Sequence, residues 1–221
     1  MKKKLIIGFW IVTLAHASEC QEMHPFKQGI TFGYDFSGLL IKIFQPARTG
    51  GEVSLTAGAF KKMYYTVEAG ILNINSKDST NNYNYYSNGK YIRVGFDYNF
   101  YKRKTADENN MVFLGLRYGF SSLNYSADNI IIKDELWGDY GPTNVPNTKY
   151  QAQWVEFAAG IRVEIIKNFS MGWSGRLHYL IYTKGNEKIK PSVIPGFGNA
   201  YSTITLGFNY SFYYTIPLRK Y

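Results

Sequence analysis

One segment of the chain, Tyr201 to Ile216, alternates between polar and apolar side chains over almost its whole length. The polar face would carry Tyr201, Thr203, Thr205, Gly207, Asn209, Ser211, Tyr213 and Thr215. The apolar face would carry Ile204, Leu206, Phe208, Tyr210, Phe212, Tyr214 and Ile216. Because successive side chains of a strand point to opposite faces, the segment is predicted to be a strand. Its length of about 16 residues, against a usual 5 or 6, favours a transmembrane barrel.

Similar alternation recurs along the rest of the chain, and helical periodicity is almost absent. The predicted strands are Gly29 to Phe44, Glu52 to Phe60, Met63 to Ile74, Tyr91 to Tyr101, Met111 to Tyr125, Tyr150 to Ile166, Phe169 to Thr183, and Asn199 to Ile216. The sequence therefore predicts an all-β fold, an eight-stranded antiparallel β-barrel.

The connections between these strands alternate between shorter turns and longer loops. The shorter turns are Lys61-Lys62, Lys102 to Asn110 and Lys167-Asn168. The longest loops are Asn75 to Lys90, Ser126 to Lys149 and Lys184 to Gly198. In outer-membrane barrels the short turns are periplasmic and the long loops extracellular. This alternation predicts an outer-membrane barrel with both ends of the chain on the periplasmic side.

The polar faces of the strands indicate which side of the barrel is the interior. A soluble barrel or sandwich would place its apolar residues inside. Here the charges on the polar faces nearly balance and are mostly carboxylates and arginines, and arginine is favoured in desolvated ion pairs. We therefore predict that the apolar faces contact lipid and that a polar network plugs the narrow lumen. Its predicted members are Asp35, Glu68, Arg93, Asp97, Arg117, Glu156, Arg162, Glu164, Arg176 and His178.

The first residues have the features of a secretory signal peptide. A lysine run at residues 2–4 precedes the apolar run Leu5 to Leu14, which ends at Ala15-His16-Ala17. This pattern predicts residues 1–17 as a signal peptide cleaved after Ala17, residues 18–28 as a periplasmic lead and residues 29–218 as the barrel. Lipid attachment at Cys20 is a less favoured alternative, because Glu19 is a poor fit to a lipoprotein cleavage site.

Composition and motifs indicate few other functions. The net charge of +9 comes from scattered basic residues, and a secreted chain rarely meets nucleic acid. His178, with Ser170 and Ser174 on the same face, suggests a lipid hydrolase, but the chain has no G-x-S-x-G motif. We predict no cofactor, no metal and no enzyme activity. Part of the long loop, with Trp137, Asp139 and Tyr140, is a candidate partner contact.

Six segments of the chain also carry a resemblance to known proteins. They are GYDFSGLLIKIFQPARTGGEVSLTAGAF (Gly33 to Phe60), GFDYNFYKRKTADENNMVFLGLRYGFSS (Gly95 to Ser122), LWGDYG (Leu136 to Gly141), GWSGR (Gly172 to Arg176), IPGFG (Ile194 to Gly198) and NYSFYYTIPL (Asn209 to Leu218). In them the chain resembles an uncharacterised family of small Gram-negative outer-membrane β-barrel proteins, named only as a domain of unknown function. The resemblance implies a barrel without an established activity or catalytic residues. It also implies an accessory role in a larger envelope complex, such as a barrel-assembly or transport complex.

The predicted function is therefore a non-enzymatic structural or protein-interaction role in the outer membrane. Two alternatives stay open at this point. One is an enzyme that modifies outer-membrane lipid, and the other is a carrier or pore for small molecules.

Overall fold

The computed structural model describes residues 29–60, 62–78, 83–102, 108–132, 140–186 and 189–218. The elements in chain order are β1 (Gly29–Asp35), α1 (Ser37–Phe44), β2 (Arg48–Phe60), β3 (Met63–Asp78), β4 (Tyr83–Asn99), β5 (Met111–Ile132), β6 (Tyr140–Ile166), β7 (Phe169–Lys184), β8 (Val193–Ile194), β9 (Gly198–Asn199) and β10 (Ile204–Pro217). Eight strands close into an antiparallel barrel in the order β1-β10-β7-β6-β5-β4-β3-β2, and β8 pairs only with β9. The predicted eight-stranded antiparallel barrel is confirmed.

Side chains alternate between the inside and the outside of this barrel. In β4, Arg93 and Asp97 are buried, whereas Ile92 is exposed. In β10, Leu206 and Phe208 are each 73% exposed. The outer surface is apolar and the interior is charged, which is the arrangement of a barrel that spans a membrane.

The two ends of the barrel differ in how their strands are joined. One end, the turn end, carries the tight connections from β2 to β3 and from β6 to β7. The opposite end, the loop end, carries the connections from β3 to β4, β5 to β6 and β7 to β10. In outer-membrane barrels the end with short turns faces the periplasm.

The first predicted strand, Gly29 to Phe44, is wrong beyond Asp35. The carboxylate of Asp35 accepts hydrogen bonds from the backbone N–H (2.6 Å) and the hydroxyl group of Ser37. Such an Asx turn competes with strand pairing and supplies an acceptor for an N–H at the start of a helix. The chain therefore leaves the sheet after Asp35 and forms α1. Among the described residues, no helix is long and apolar enough to cross a membrane.

Helix α1 takes the place of a longer β1 in the barrel wall. The last residue of β1, Asp35, pairs with Glu52 of β2 and Ser211 of β10. Closer to the loop end, β1 does not separate the segment Arg48–Gly51 of β2 from the segment Ile204–Tyr210 of β10. Helix α1 lies there instead, against both strands. The helix therefore covers two strand edges that would otherwise face lipid, where unpaired backbone groups are costly.

Several strands extend further at the loop end than the sequence predicts. β4 begins at Tyr83 instead of Tyr91. β5 and β6 remain paired as far as Ile132 and Tyr140, so the predicted loop Ser126 to Lys149 is largely strand. Backbone pairing does not require apolar side chains. Strand segments above the membrane therefore continue the sheet without the apolar alternation that predicts a lipid-facing strand.

Candidate functional site

The middle of the lumen holds a compact group of ionised side chains, which we call the charged cluster. All of its members are almost completely buried. It consists of Glu52, Glu68, Arg93, Asp97, Arg117, Glu156 and Arg176. These residues come from β2 to β7, so the cluster connects most of the barrel wall across the lumen.

Arg93 is the central cation of the charged cluster. Its Nε lies 2.8 Å from Oε2 of Glu68, and its Nη1 lies 3.1 Å from Oε2 of Glu156. Its Nη2 donates to Glu52. One guanidinium group thereby contacts three carboxylates that lie on three different strands, using the fork of donors that only arginine supplies.

The other two arginines complete this arrangement. Nη1 of Arg176 lies 2.6 Å from Oε2 of Glu68 and 2.8 Å from Oε1 of Glu156. Nε of Arg117 lies 3.1 Å from Oε1 of Glu68, and its Nη2 lies 3.0 Å from Oδ1 of Asp97. Asp97 also accepts a hydrogen bond from the hydroxyl group of Thr66 at 3.1 Å. Glu68 therefore contacts three arginines.

The strand register places these charges opposite each other. Glu68 of β3 is the direct partner of Arg93 on β4, and Arg117 of β5 is the direct partner of Glu156 on β6. An inward-facing glycine provides the room they need. A Cβ atom at Gly115 would lie only 2.1 Å from Oδ1 of Asp97. The charged cluster is therefore built from the direct pair Glu68–Arg93, from contacts across the lumen, and from a position that has no side chain.

A buried cluster of this kind is stable only while its charges are matched. Burying an unpaired charge costs several kcal/mol, whereas a complete network compensates that cost through its mutual contacts. The cluster fills the lumen with side chains that hold each other in place. Within the described residues, no group of three or more His, Cys, Asp or Glu side chains is arranged to hold a metal ion.

His178 lies at the edge of the charged cluster, towards the loop end. Its Nε2 is 3.3 Å from Oε2 of Glu156. Its Nδ1 is 2.9 Å from the carbonyl oxygen of Phe197 and 3.1 Å from the hydroxyl oxygen of Thr205. The hydroxyl oxygen of Ser174 accepts a hydrogen bond from Nε of Arg176 at 3.4 Å. The imidazole thus bridges the cluster to the loop above it.

That loop, residues 189–203, folds into the mouth of the barrel, and we call it the plug. Ile194 and Phe197 of the plug are almost completely buried. The hydroxyl group of Tyr125 donates to the carbonyl group of Ile189, and the hydroxyl oxygen of Tyr85 accepts from the N–H of Ser192 at 3.1 Å. The buried apolar cluster around the plug contains Ile74, Tyr85, Leu123, Tyr125, Ala127, Val145, Tyr150, Ala152, Trp154, Ile194, Phe197 and Ala200.

Three residues predicted for the lumen network lie away from the charged cluster. Asp35 accepts from the side-chain amide of Asn209 and from the N–H of Ser37, the first residue of α1. The guanidinium carbon of Arg162 lies 3.8 Å from the ring centre of Tyr213, near the turn end. Glu164 accepts from the backbone N–H of Asn109 at 3.1 Å, at the same end. Alternation gives the face of a side chain but not its height along the barrel.

Two residues of the site were missed by the sequence prediction. Glu52 contacts Arg93, and the hydroxyl group of Tyr91 donates to Oε2 of Glu52 at 2.5 Å. Each of them is the first residue of a predicted strand. At the end of a strand, alternation does not define well which face a side chain is on. Glu52 lies four residues before Thr56, which is buried, so the alternation within β2 predicts that both side chains face the lumen.

Other predicted features fall outside the described residues. These are the signal peptide (1–17), the periplasmic lead (18–28), and Trp137 and Asp139 of the candidate contact loop. Tyr140, the third residue of that group, is the first residue of β6.

Comparisons with known proteins find several similar solved structures. The chain is similar to a major outer membrane protein from Thermus thermophilus, at 10% identity and a TM-score of 0.46, over 85% of this chain and 98% of that chain. It is similar to Acinetobacter baumannii CarO at 11% identity and a TM-score of 0.41, over 86% and 98% of the two chains. For Neisserial surface protein A (NspA) the values are 12% and 0.37, over 86% and 95%.

No curated protein matches the sequence. The assignment as a barrel depends on the strand pairing and on the outward-facing apolar side chains, and not on these distant likenesses. A family model matches nearly the whole chain, residues 6–221. The chain belongs to the family described as Domain of unknown function (DUF6048).

Proposed function

We propose that this outer-membrane barrel is a non-enzymatic structural or protein-interaction protein that acts as an accessory subunit of a larger envelope assembly. The observation that carries the proposal is the filled interior. The charged cluster occupies the middle of the lumen and the plug occupies its mouth. Because the lumen is filled, we expect the barrel to act through contacts on its outer surfaces.

The hairpin of β5 and β6 is the surface that best supports an interaction role. These strands contain 22 and 27 residues, more than any other strand described. Asp128 is the last residue of β5 that pairs with β4, and beyond it β5 and β6 still pair at Ile130–Thr143 and Ile132–Tyr140. A paired hairpin keeps a fixed direction, so its strand residues meet a partner at a smaller entropic cost than those of a free loop.

The two alternatives have less support. A hydrolase would need an accessible histidine beside a nucleophile, but His178 is buried and its ring nitrogens contact Glu156, Thr205 and Phe197. A carrier or pore would need free volume in the lumen. The cavity beside Asp35, Glu52 and Tyr91 has a volume of only about 150 Å³, below the usual range of about 300–1,000 Å³ for ligand sites.

The proposal is tested by mild-detergent purification from outer membranes, followed by mass spectrometry of the proteins that co-purify. The matched variant lacks the hairpin tip, with Asn129 and Asn144 joined by an Asn-Gly turn. These two residues are already close, because the N–H of Asn129 donates to Oδ1 of Asn144 at 2.9 Å. We expect one defined complex with the wild type and its loss with the shortened hairpin. Purification of the wild type as a single protein would contradict the proposal.

The enzyme alternative has its own test. Lipid A and phospholipid turnover is measured with the wild type and with His178→Ala. We expect no turnover by either protein. Turnover by the wild type that is lost in His178→Ala would replace the proposed function with a lipid-modifying activity.

A further inference from the structure

The lipid-facing wall of the barrel is not uniformly convex. A groove of about 880 Å³ runs along its outer surface beside β1 to β5. Outward-facing side chains of Val53, Ala69, Ile71, Ile92 and Phe120 line it. Most of the surface that lines it is apolar, and Glu52, Tyr91, Lys90 and Ser122 also border it. A volume of this size lies in the range of ligand sites, about 300–1,000 Å³.

Small residues make this groove. Gly51 and Ala69 occupy outward positions where the neighbouring outward residues are larger. A Cβ atom at Gly51 would meet only the hydroxyl oxygen of Tyr34, at 3.7 Å, so the space above this residue is open. The groove therefore exists because two adjacent strands lack bulk in neighbouring outward rows, and not because a side chain has moved aside.

Strand register shows where the groove lies in the bilayer. One row of outward residues runs Gly51, Ile71, Lys90 and Ser122 across β2 to β5. The row nearer the turn end is apolar: Val53, Ala69, Ile92 and Phe120. The row nearer the loop end is polar: Thr49, Asn73, Asn88 and Asn124. The boundary between the membrane core and its interface therefore passes through the row of Lys90.

The geometry of β4 places Lys90 at the same height in the membrane. Lys90 and Asn99 both lie on β4, and Asn99 is at the turn end. At about 3.3 Å per residue and a tilt of about 40°, the strand rises about 23 Å between them. The apolar band of such barrels is about 25 Å tall. Lys90 is thus level with the headgroups of the outer leaflet.

We propose that this lipid groove binds the acyl chains of one outer-leaflet lipid, and that the phosphate group of that lipid lies against the ammonium group of Lys90. Lys90 is exposed and lines the upper part of the groove, with Ser122 beside it as a hydrogen-bond donor. A cation at the interface above an apolar groove complements a lipid with an anionic headgroup and acyl chains. The wall beside β2 to β5 then selects a lipid instead of only contacting the bulk bilayer.

The test counts the lipids that remain on the barrel. The protein is reconstituted in phosphatidylcholine nanodiscs that contain a minor fraction of lipid A, and is then analysed by native mass spectrometry. A parallel set contains dephosphorylated lipid A, which has the same chains without the phosphate groups. We expect the wild type to retain one lipid A, and to retain it more than the dephosphorylated form.

Two variants separate the chain contacts from the phosphate contact. Ala69→Leu fills the groove and should reduce retention of both lipids. Lys90→Gln should reduce retention of lipid A about fivefold, because an interfacial lysine contributes about 1 kcal/mol, and should leave the dephosphorylated form unchanged. Ala159→Leu is the matched control. Ala159 is exposed and outward-facing on β6, outside the groove, and its substitution should change neither value.

Three results would overturn the proposal. The first is equal retention of lipid by the wild type and by Ala69→Leu. The second is a loss of lipid in Ala159→Leu as large as that in Ala69→Leu. The third is equal retention of lipid A and of its dephosphorylated form by the wild type. A protein segment found in the groove by cross-linking from Lys90 would also overturn it. Heat-modifiable gel mobility checks that each variant forms a barrel, so that loss of lipid is not loss of fold.

Discussion

At the scale of single residues, Glu156 is the carboxylate on which the charged cluster depends most. It lies within 3.3 Å of Arg93, Arg176 and His178 and is completely buried. Glu156→Gln keeps the shape but removes the charge, so Arg93 and Arg176 share less negative charge in a buried site. Breaking a buried ion pair costs about 3–5 kcal/mol. We expect that loss in the free energy of unfolding, measured by urea titration in lipid vesicles.

Glu164 supplies the matched control for that measurement. It is also an inward-facing glutamate of β6, but it lies at the turn end and accepts from N–H groups of Asn109 and Asn168. A glutamine at this position retains one of the two accepting oxygens, so Glu164→Gln should cost about 1–2 kcal/mol, less than the loss at Glu156. Equal costs for the two substitutions would show that burial in the charged cluster adds nothing to the role of Glu156.

The arginines of the lumen show what the sequence predicts about single residues. Arg93, Arg117 and Arg176 each alternate with apolar neighbours in a clean strand, which places them inside the barrel. Which of them share a carboxylate depends on the register between strands that are far apart in the chain. Arg162 has the same inward parity, yet it stacks on Tyr213 away from the others. The face on which a side chain lies can be read from its own strand, whereas a contact across the lumen depends on the register of several strands.

At the scale of elements, α1 is the part of the fold that the sequence predicts least well. Alternation in Gly29 to Phe44 continues as far as Ser37 and then gives way to a run of apolar residues, which fits a lipid-facing strand as well as a helix. In the structure Ile43 and Phe44 are exposed by more than two thirds, because a helix in the membrane wall is apolar where it meets lipid. The signal that ends β1 is the pair Asp35 and Ser37, an Asx turn inside an alternating segment.

The packing of α1 on the barrel edge gives a prediction for Gly38. A Cβ atom there would lie 2.6 Å from the carbonyl oxygen of Gly50, a backbone atom of β2. Alanine in a helix gains about 1 kcal/mol over glycine, but overpacking costs about 1–3 kcal/mol, and here the obstacle is backbone. We expect Gly38→Ala to lower the free energy of unfolding by about 1 kcal/mol. The midpoint of the heat-modifiable gel shift, measured against temperature, would detect the change.

Gly175 on β7 is the control, because the same substitution should have the opposite sign there. A Cβ atom at Gly175 would meet only Cε1 of Phe208, at 3.7 Å, which is an ordinary contact. Replacing glycine inside a strand removes an entropic cost of about 0.5–1 kcal/mol. A Gly38→Ala protein that melts at or above the wild-type temperature would mean that α1 does not pack tightly against β2.

At the scale of the whole molecule, the architecture could be predicted because one physical requirement applies to every strand. A barrel in lipid needs one apolar face per strand and connections that alternate in length, and both are visible in a single sequence. The prediction fails at the loop end, above the membrane, where strands no longer need a lipid-facing apolar side. There β4, β5 and β6 extend through segments read as loops, and the plug turns inward. These features depend on pairing and packing between distant residues, which alternation does not record.

The filled lumen leads to a prediction about conduction. Two barriers lie in series, the plug at the mouth and the charged cluster below it. The wild type should be silent in planar bilayers, and so should a variant in which residues 190–200 are replaced by a short Gly-Ser link. An eight-stranded barrel has room only for its own side chains, and Arg93, Arg176 and Glu68 still cross it. An open porin in the same bilayers is the positive control. Discrete current steps from the wild type would favour the pore alternative, and steps from the shortened variant alone would show that the charged cluster does not close the lumen.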